Sequence, residues 1–245
     1  MAAPPVRTPF FYGWVIVAVS FWANWITAPL NPVVFSIFIV PIRDDLHVSL
    51  GALALCTSLR QAAAGVSAPL LGNLVDRHGP RWLGVCCAAW AGLCLAASAF
   101  APGIGWLYAL CFLSGLSGFG VFGGGQILTG VPPANWFVAK RGRAMSYATM
   151  GNGLGTGCWV LIAGAMVTRL GWRESWFIFG VLIVLVLVPA YAFLMRRRPE
   201  DVGLHPDGAT TAQVEASLAA STSSTAPARS EEHTSELQSL AYLVC

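Results

Sequence analysis

Charge is scarce in this chain. Only 10% of its residues are Asp, Glu, Lys or Arg, against roughly 25% in an average soluble domain, and that excludes an ordinary soluble fold. Acidic residues are missing altogether from the six long apolar runs, so a carboxylate proton relay inside them has nothing to run on. Paired cysteine motifs are also missing. There are 7 cysteines, none in a CxxC, and all but Cys245 sit in apolar sequence. They suit small packing residues and give no disulfide framework or metal site; no cofactor is expected. No basic patch with interleaved aromatics is present, which excludes nucleic acid as a partner. No strand precedes the glycine-rich stretches, which argues against a nucleotide site. Histidine is absent from the runs. Gly115-Leu116-Ser117-Gly118 matches the GxSG of intramembrane serine proteases, but His47, His78, His205 and His233 all lie in loops or the tail, so the base that such a serine needs is missing. No enzymatic activity is expected.

What is present is 56% hydrophobic. The apolar runs are each about 20 residues or longer, enough to cross a hydrocarbon core of about 30 Å. The expected spans are Phe11–Val40, Leu50–Val75, Trp82–Ala101, Ile104–Val131, Ala144–Val167 and Ser175–Met195. Pro29 and Pro32 should bend the first, Pro132 and Pro133 should stop the fourth, and Pro41–Ser49 reads as a loop. Residues 1–10 form a tail, 11–198 a transmembrane domain, and 199–229 a largely disordered linker rich in Ala, Ser and Thr. Ser230–Cys245 resembles a translated cloning scar. With both ends cytoplasmic, the inner segments hold Arg7, Arg77, Arg81, Lys140, Arg141, Arg143 and Arg196 to Arg198, while the outer loops hold only Arg43, Arg169 and Arg173. That is the positive-inside pattern. The expected setting is a multi-pass protein of a bacterial inner membrane.

An internal repeat organises the spans. Gly72, Val75, Arg77, Gly79 and Arg81 recur 92 residues later as Gly164, Val167, Arg169, Gly171 and Arg173. The repeat maps the second span onto the fifth, with one turn inside and the other outside. Two inverted three-helix repeats are the construction of a transporter half. The fold class is therefore an all-α membrane protein of six transmembrane helices.

Polar residues within the spans are few. Asn24, Thr27 and Asn31 fall on one helical face and serve either as interhelical glue or as a cavity lining. Arg60 is the one ionisable residue inside a span, roughly 18 Å along the helix from Gly72. It either helps bind an anionic substrate or snorkels to the headgroups. The repeat places Asn152 at the matching position, with Thr156 one turn on. Gly151/Gly155 and Gly153/Gly157 are small-xxx-small pairs suited to close, sliding helix contacts.

The loop Gly72-x-Leu74-x-Asp76-Arg77-x-Gly79-x-Arg81 resembles the signature loop of the major facilitator superfamily, with Pro80 where that family usually has a basic residue. The basic loop after Trp136, Gly171-Trp172-Arg173, and Arg198 to Leu204 resemble its monocarboxylate and oxalate/formate branches. The resemblance implies the N-terminal half of a twelve-helix carrier that moves a small solute, here a mono- or dicarboxylate, by alternating access. It implies a conformational gate at Gly72, Asp76, Arg77, Gly79 and Arg81. It implies substrate contacts in the cavity, for which Arg60, Asn24, Thr27, Asn31, Asn152 and Thr156 are the candidates. The expected partners are the bilayer, an anionic solute and a C-terminal six-helix half. The competing expectations are a truncated product that inserts without transporting, a half-size transporter acting as a homodimer, and a carrier of a neutral solute or drug.

Overall fold

The computed structural model describes residues 12–119, 125–138 and 140–196. The tail at 1–10, the linker at 199–229 and the stretch 230–245 lie outside the described residues. Among those described there are eight α-helices and no strand. They are α1 (Gly13–Ile26), α2 (Pro32–Leu46), α3 (Leu50–His78), α4 (Pro80–Ser98), α5 (Ile104–Gly115), α6 (Gly125–Trp136), α7 (Arg141–Leu170) and α8 (Trp172–Pro189). A π-helical turn, Ala190–Leu194, continues α8. By length and composition Pro80–Ser98, Arg141–Leu170 and Trp172–Leu194 can each cross a membrane; Gly13–Ile26 and Ile104–Gly115 are shorter apolar helices.

The first expected span is broken, not merely bent. A 3-10 turn at Ala28–Leu30 separates α1 from α2. Pro29 cannot donate to the Trp25 carbonyl and Pro32 cannot donate to that of Ala28. The Trp25 carbonyl instead accepts the Trp159 indole N–H at 2.8 Å. Asn31 is extended (ψ 138) and restarts the helix: its side-chain oxygen accepts the Val33 N–H at 3.0 Å. Beyond it, the expected loop at Pro41–Ser49 shortens to the three residues 47–49. α2 continues through Pro41 to Leu46, held by fully buried Ile42, and ends on His47 in the left-handed region at φ 50.

The fourth expected span is divided as well. α5 stops at Gly115, Gly118 takes a left-handed φ of 73, and α6 begins at Gly125. Pro132 and Pro133 lie inside α6 and do not stop it. The carbonyl that Pro132 leaves without a helical donor is that of Leu128, and it accepts the Tyr191 hydroxyl at 3.3 Å. A neighbouring helix thus replaces the missing backbone donor, as an apolar medium requires.

The internal repeat is visible as matched backbone geometry. α3 and α4 are joined by Gly79 alone (φ 82, ψ 162), and α7 and α8 by Gly171 alone (φ 86, ψ 173). Each N–H closes the preceding helix, on Val75 at 2.8 Å and on Val167 at 3.1 Å. α4 and α8 then run antiparallel in close contact. Gly92 and Gly180 face each other where they cross, and a Cβ on Gly180 would sit 2.5 Å from the Gly92 oxygen. At the ends of this pair Arg81 Nε donates to the Ala192 carbonyl at 2.7 Å, while Arg173 Nη1 donates to Ala99 and Ala101 at 3.2 and 3.0 Å. Each arginine begins one helix and caps the carbonyl end of the other.

Candidate functional site

The seam between the broken first span and α7 carries most of the polar side chains that the sequence singles out, Asn31 buried and Asn24, Thr27, Asn152 and Thr156 half-buried. Two glycines allow it to close. A Cβ on Gly151 would collide with the Phe21 backbone, and one on Gly155 would lie 2.9 Å from Trp25 Cα. The second small-residue pair does not share this role: Gly153 and Gly157 are exposed, with nothing near their missing Cβ atoms. The period of 3.6 explains the split, because residues two apart point to different sides of a helix.

Along the seam, Asn24 donates to the Ala148 carbonyl at 2.9 Å and accepts the Thr129 hydroxyl at 3.2 Å. The Thr27 hydroxyl turns back to Ala23 on its own helix at 2.7 Å. Asn31 Nδ2 donates across the gap to Thr156 at 3.1 Å and to Asn152 Oδ1 at 3.5 Å. The Thr156 hydroxyl donates to the same Asn152 oxygen at 3.3 Å. Asn31, Asn152 and Thr156 therefore form one connected cluster, with Asn24 and Thr129 a second one along the same seam. Thr129 was not singled out from the sequence; its place on α6 emerges only once that span is divided.

Arg60 approaches from another side. It is 8% exposed, and its Nη2 donates to the Leu30 carbonyl at the end of the 3-10 turn. Its head shares a cavity of about 10 Å³ with Leu30, Ser98, Cys111, Ser114 and Trp176, room for about one water molecule. Gly115 lets α5 pass directly over the Arg60 backbone, where a Cβ would collide with its carbonyl oxygen. The nearby Ser117 hydroxyl donates to the Ser114 carbonyl at 2.6 Å.

The signature loop is less of a loop than its composition suggests. Asp76 and Arg77 are exposed on the last turn of α3. A Cβ at Gly72 would meet only Ile127 Cδ1 at 4.0 Å, an ordinary contact. Gly79 lies in a backbone region that is essentially glycine-only. Arg81 is half-buried and bound to Ala192.

A sequence profile of the Major Facilitator Superfamily matches residues 12–237. The chain belongs to this superfamily. Its fold is the helical fold of that family, and it is an integral membrane protein and a transporter relative. Over 170 residues it is 26% identical to human Monocarboxylate transporter 6, covering 69% of this chain and 33% of that protein. It is 31% identical over 168 residues to the Oxalate:formate antiporter of Oxalobacter formigenes, covering 66% and 38%. An uncharacterised transporter of the superfamily from Bacillus subtilis matches at 24% over 169 residues, covering 67% and 40%. The chain thus spans about a third to two-fifths of the length of these relatives.

Proposed function

We propose that this chain is one half of a secondary transporter for a small organic solute, with a mono- or dicarboxylate as its substrate class. The arrangement proposed is six crossings in two inverted three-helix repeats, with both ends cytoplasmic in a bacterial inner membrane and a second six-helix half completing the carrier. Alternating access then amounts to rocking of the two halves about a midplane site. The observation that carries this reading is the polar cluster at the broken helix. In an apolar bundle, Asn31, Asn152 and Thr156 pool uncharged donors and acceptors where the first span is interrupted between α1 and α2, and interrupted helices are where transporters of this construction place substrate. Asn24 and Thr27 extend the lining, and the cation of Arg60 stands behind it. The names of the relatives, one an oxalate:formate antiporter and two others monocarboxylate transporters, support the carboxylate class.

The Gly72 to Arg81 turn is the proposed gate. Asp76, at the carbonyl end of α3 where the helix dipole disfavours an anion, is suited to a partner on the other half, with Arg77 and Arg81 beside it. The uncharged character of the seam favours one second reading, transport of a neutral solute. Uptake of labelled oxalate, formate, lactate and a neutral sugar into proteoliposomes separates the readings. Uptake of a carboxylate, lost in Asn31→Ala and in Asn152→Ala, is the expected result. Sugar uptake alone would establish the neutral reading, and no uptake by the natural full-length protein would remove the transport reading.

A further inference from the structure

We infer that Arg60 is the positioning residue of the helix break: it fixes the Leu30–Asn31 peptide and so aims the Asn31 side chain at α7. This rests on the reading that Asn31, Asn152 and Thr156 contact the transported solute. The geometry is a chain of four links. The Leu30 carbonyl accepts from Arg60 Nη2. The other end of the same planar peptide, the Asn31 N–H, donates to the Ala28 carbonyl at 2.9 Å. With both ends held, the plane cannot rotate about its flanking bonds. The Asn31 oxygen is then taken by the Val33 N–H at 3.0 Å, which leaves Nδ2 directed at Thr156 and Asn152.

Three further observations favour positioning over direct contact with a solute. The space beside the guanidinium is about 10 Å³, about one water and too small for a carboxylate. The ion pair found among the described residues is Arg173–Asp45, not one made by Arg60; the buried guanidinium has the Leu30 carbonyl as its hydrogen-bond acceptor, with the Cys56 and Cys111 thiols nearby. An arginine at such a depth is costly, and a backbone carbonyl in an unwound segment is a partner that needs it. Finally, Asn152 lies 92 residues after Arg60, at the equivalent place in the repeat. The two equivalent residues hold one link from two sides, Arg60 through the Leu30 carbonyl and Asn152 through the Asn31 side chain.

The test compares Arg60→Leu, Arg60→Gln and Arg60→Lys by hydrogen exchange on the 245-residue chain in lipid nanodiscs, with KM and Vmax for uptake by the natural full-length protein. Arg60→Leu should speed exchange at amides 27–35 by about tenfold, the loss of one charge-assisted hydrogen bond, without speeding exchange in α4 and α8. Arg60→Gln keeps an N–H donor without the charge and should restore most of the protection. In uptake, Arg60→Leu should raise KM by more than it lowers Vmax, and Arg60→Gln should recover KM. Recovery by Arg60→Lys but not by Arg60→Gln would overturn the proposal in favour of a charge that binds solute, and this pair decides even where the leucine variant does not insert. Unchanged exchange in both Arg60→Leu and Arg60→Gln would also overturn it. Exchange needs no solute, so a failure of uptake speaks against the transport reading alone.

Discussion

The turn at Gly79 and the turn at Gly171 are built alike and fastened differently. Both use a single glycine in the same backbone region to join two helices, and both send the arginine two residues later to the far carbonyl end of the antiparallel helix. Arg81 makes one such bond, to Ala192. Arg173 makes two, to Ala99 and Ala101, and also binds Asp45 at the end of α2 through Nε at 3.2 Å and Nη2 at 2.8 Å. Both guanidinia also lie over the indole next to them in sequence, Arg173 over Trp172 at 4.5 Å and Arg81 over Trp82 at 5.5 Å. At the position matching Asp76 stands Thr168, whose hydroxyl bonds back to Ala165 on its own helix at 3.0 Å. One copy of the turn is thus tied to a third helix, while the other presents an exposed carboxylate. The duplicated device carries an added tie to a third helix at one end and an exposed carboxylate in place of Thr168 at the other.

The comparison breaks most sharply at the glycines. Gly79→Ala and Gly171→Ala should each cost about 1–3 kcal/mol, because alanine in that backbone region is strained whatever space surrounds it. Around Gly171 no atom lies near a new Cβ, so any loss there is conformational and not steric. Thermal unfolding in detergent measures both. Near-equal losses support one shared design, and a neutral Gly171→Ala would remove the backbone argument.

The repeat, and with it the equivalence of these two turns, was legible in the sequence because glycine and arginine carry it, and those residue types are needed by the backbone geometry and by the carbonyl capping. The broken first helix was legible only as a bend, since two prolines announce missing donors but not where the chain will straighten. The division at Gly118 was hidden among several glycines, any of which could have stayed helical. The polar stripe was legible from its spacing, but not the partners. The acceptors that hold Arg60, Trp159, Tyr191 and Arg81 are the carbonyls of Leu30, Trp25, Leu128 and Ala192. A backbone carbonyl exists at every position, so no residue type marks the ones left without a helical donor. Proline four residues downstream is a usable signal for two of these: Pro29 for Trp25 and Pro132 for Leu128. The same missing signal explains why the sequence offers Arg60 as a solute-binding or a snorkelling residue and not as a partner of a backbone carbonyl. Its lack of a nearby acid was visible, and its carbonyl partner was not.

Replacing the arginines sharpens the comparison at intermediate cost. Arg173→Met should destabilise by about 2 kcal/mol and Arg81→Met by about 1 kcal/mol, in proportion to the charge-assisted bonds each loses and discounted for partial exposure. The order matters more than either value. Chemical denaturation of the two variants in the same detergent gives it, and a larger loss for Arg81→Met would contradict the assignment of the Gly171 turn as the more firmly fastened end.

The smallest effect isolates the tie to α2. The hydrogen bond from Arg173 holds the Asp45 carboxyl below its ordinary value of 3.8. A depressed carboxylate pKa contributes stability that is present above 3.8 and is lost as pH falls from there through the folded value. The contribution is small because the side chains are 42% and 45% exposed, and exposed ion pairs give roughly 0.2–1 kcal/mol. Asp45→Asn should therefore cost less than about 1 kcal/mol at neutral pH, and the wild-type chain and the variant should converge as the pH is taken below 3.8. The Asp76 turn provides the internal control, since Asp76→Asn leaves the Arg173 tie intact and should preserve that convergence. A wild-type advantage over Asp45→Asn that persists undiminished well below pH 3.8 would mean that Asp45 holds α2 by packing and not by charge, and the difference between the two turns would then rest on the carbonyl caps alone.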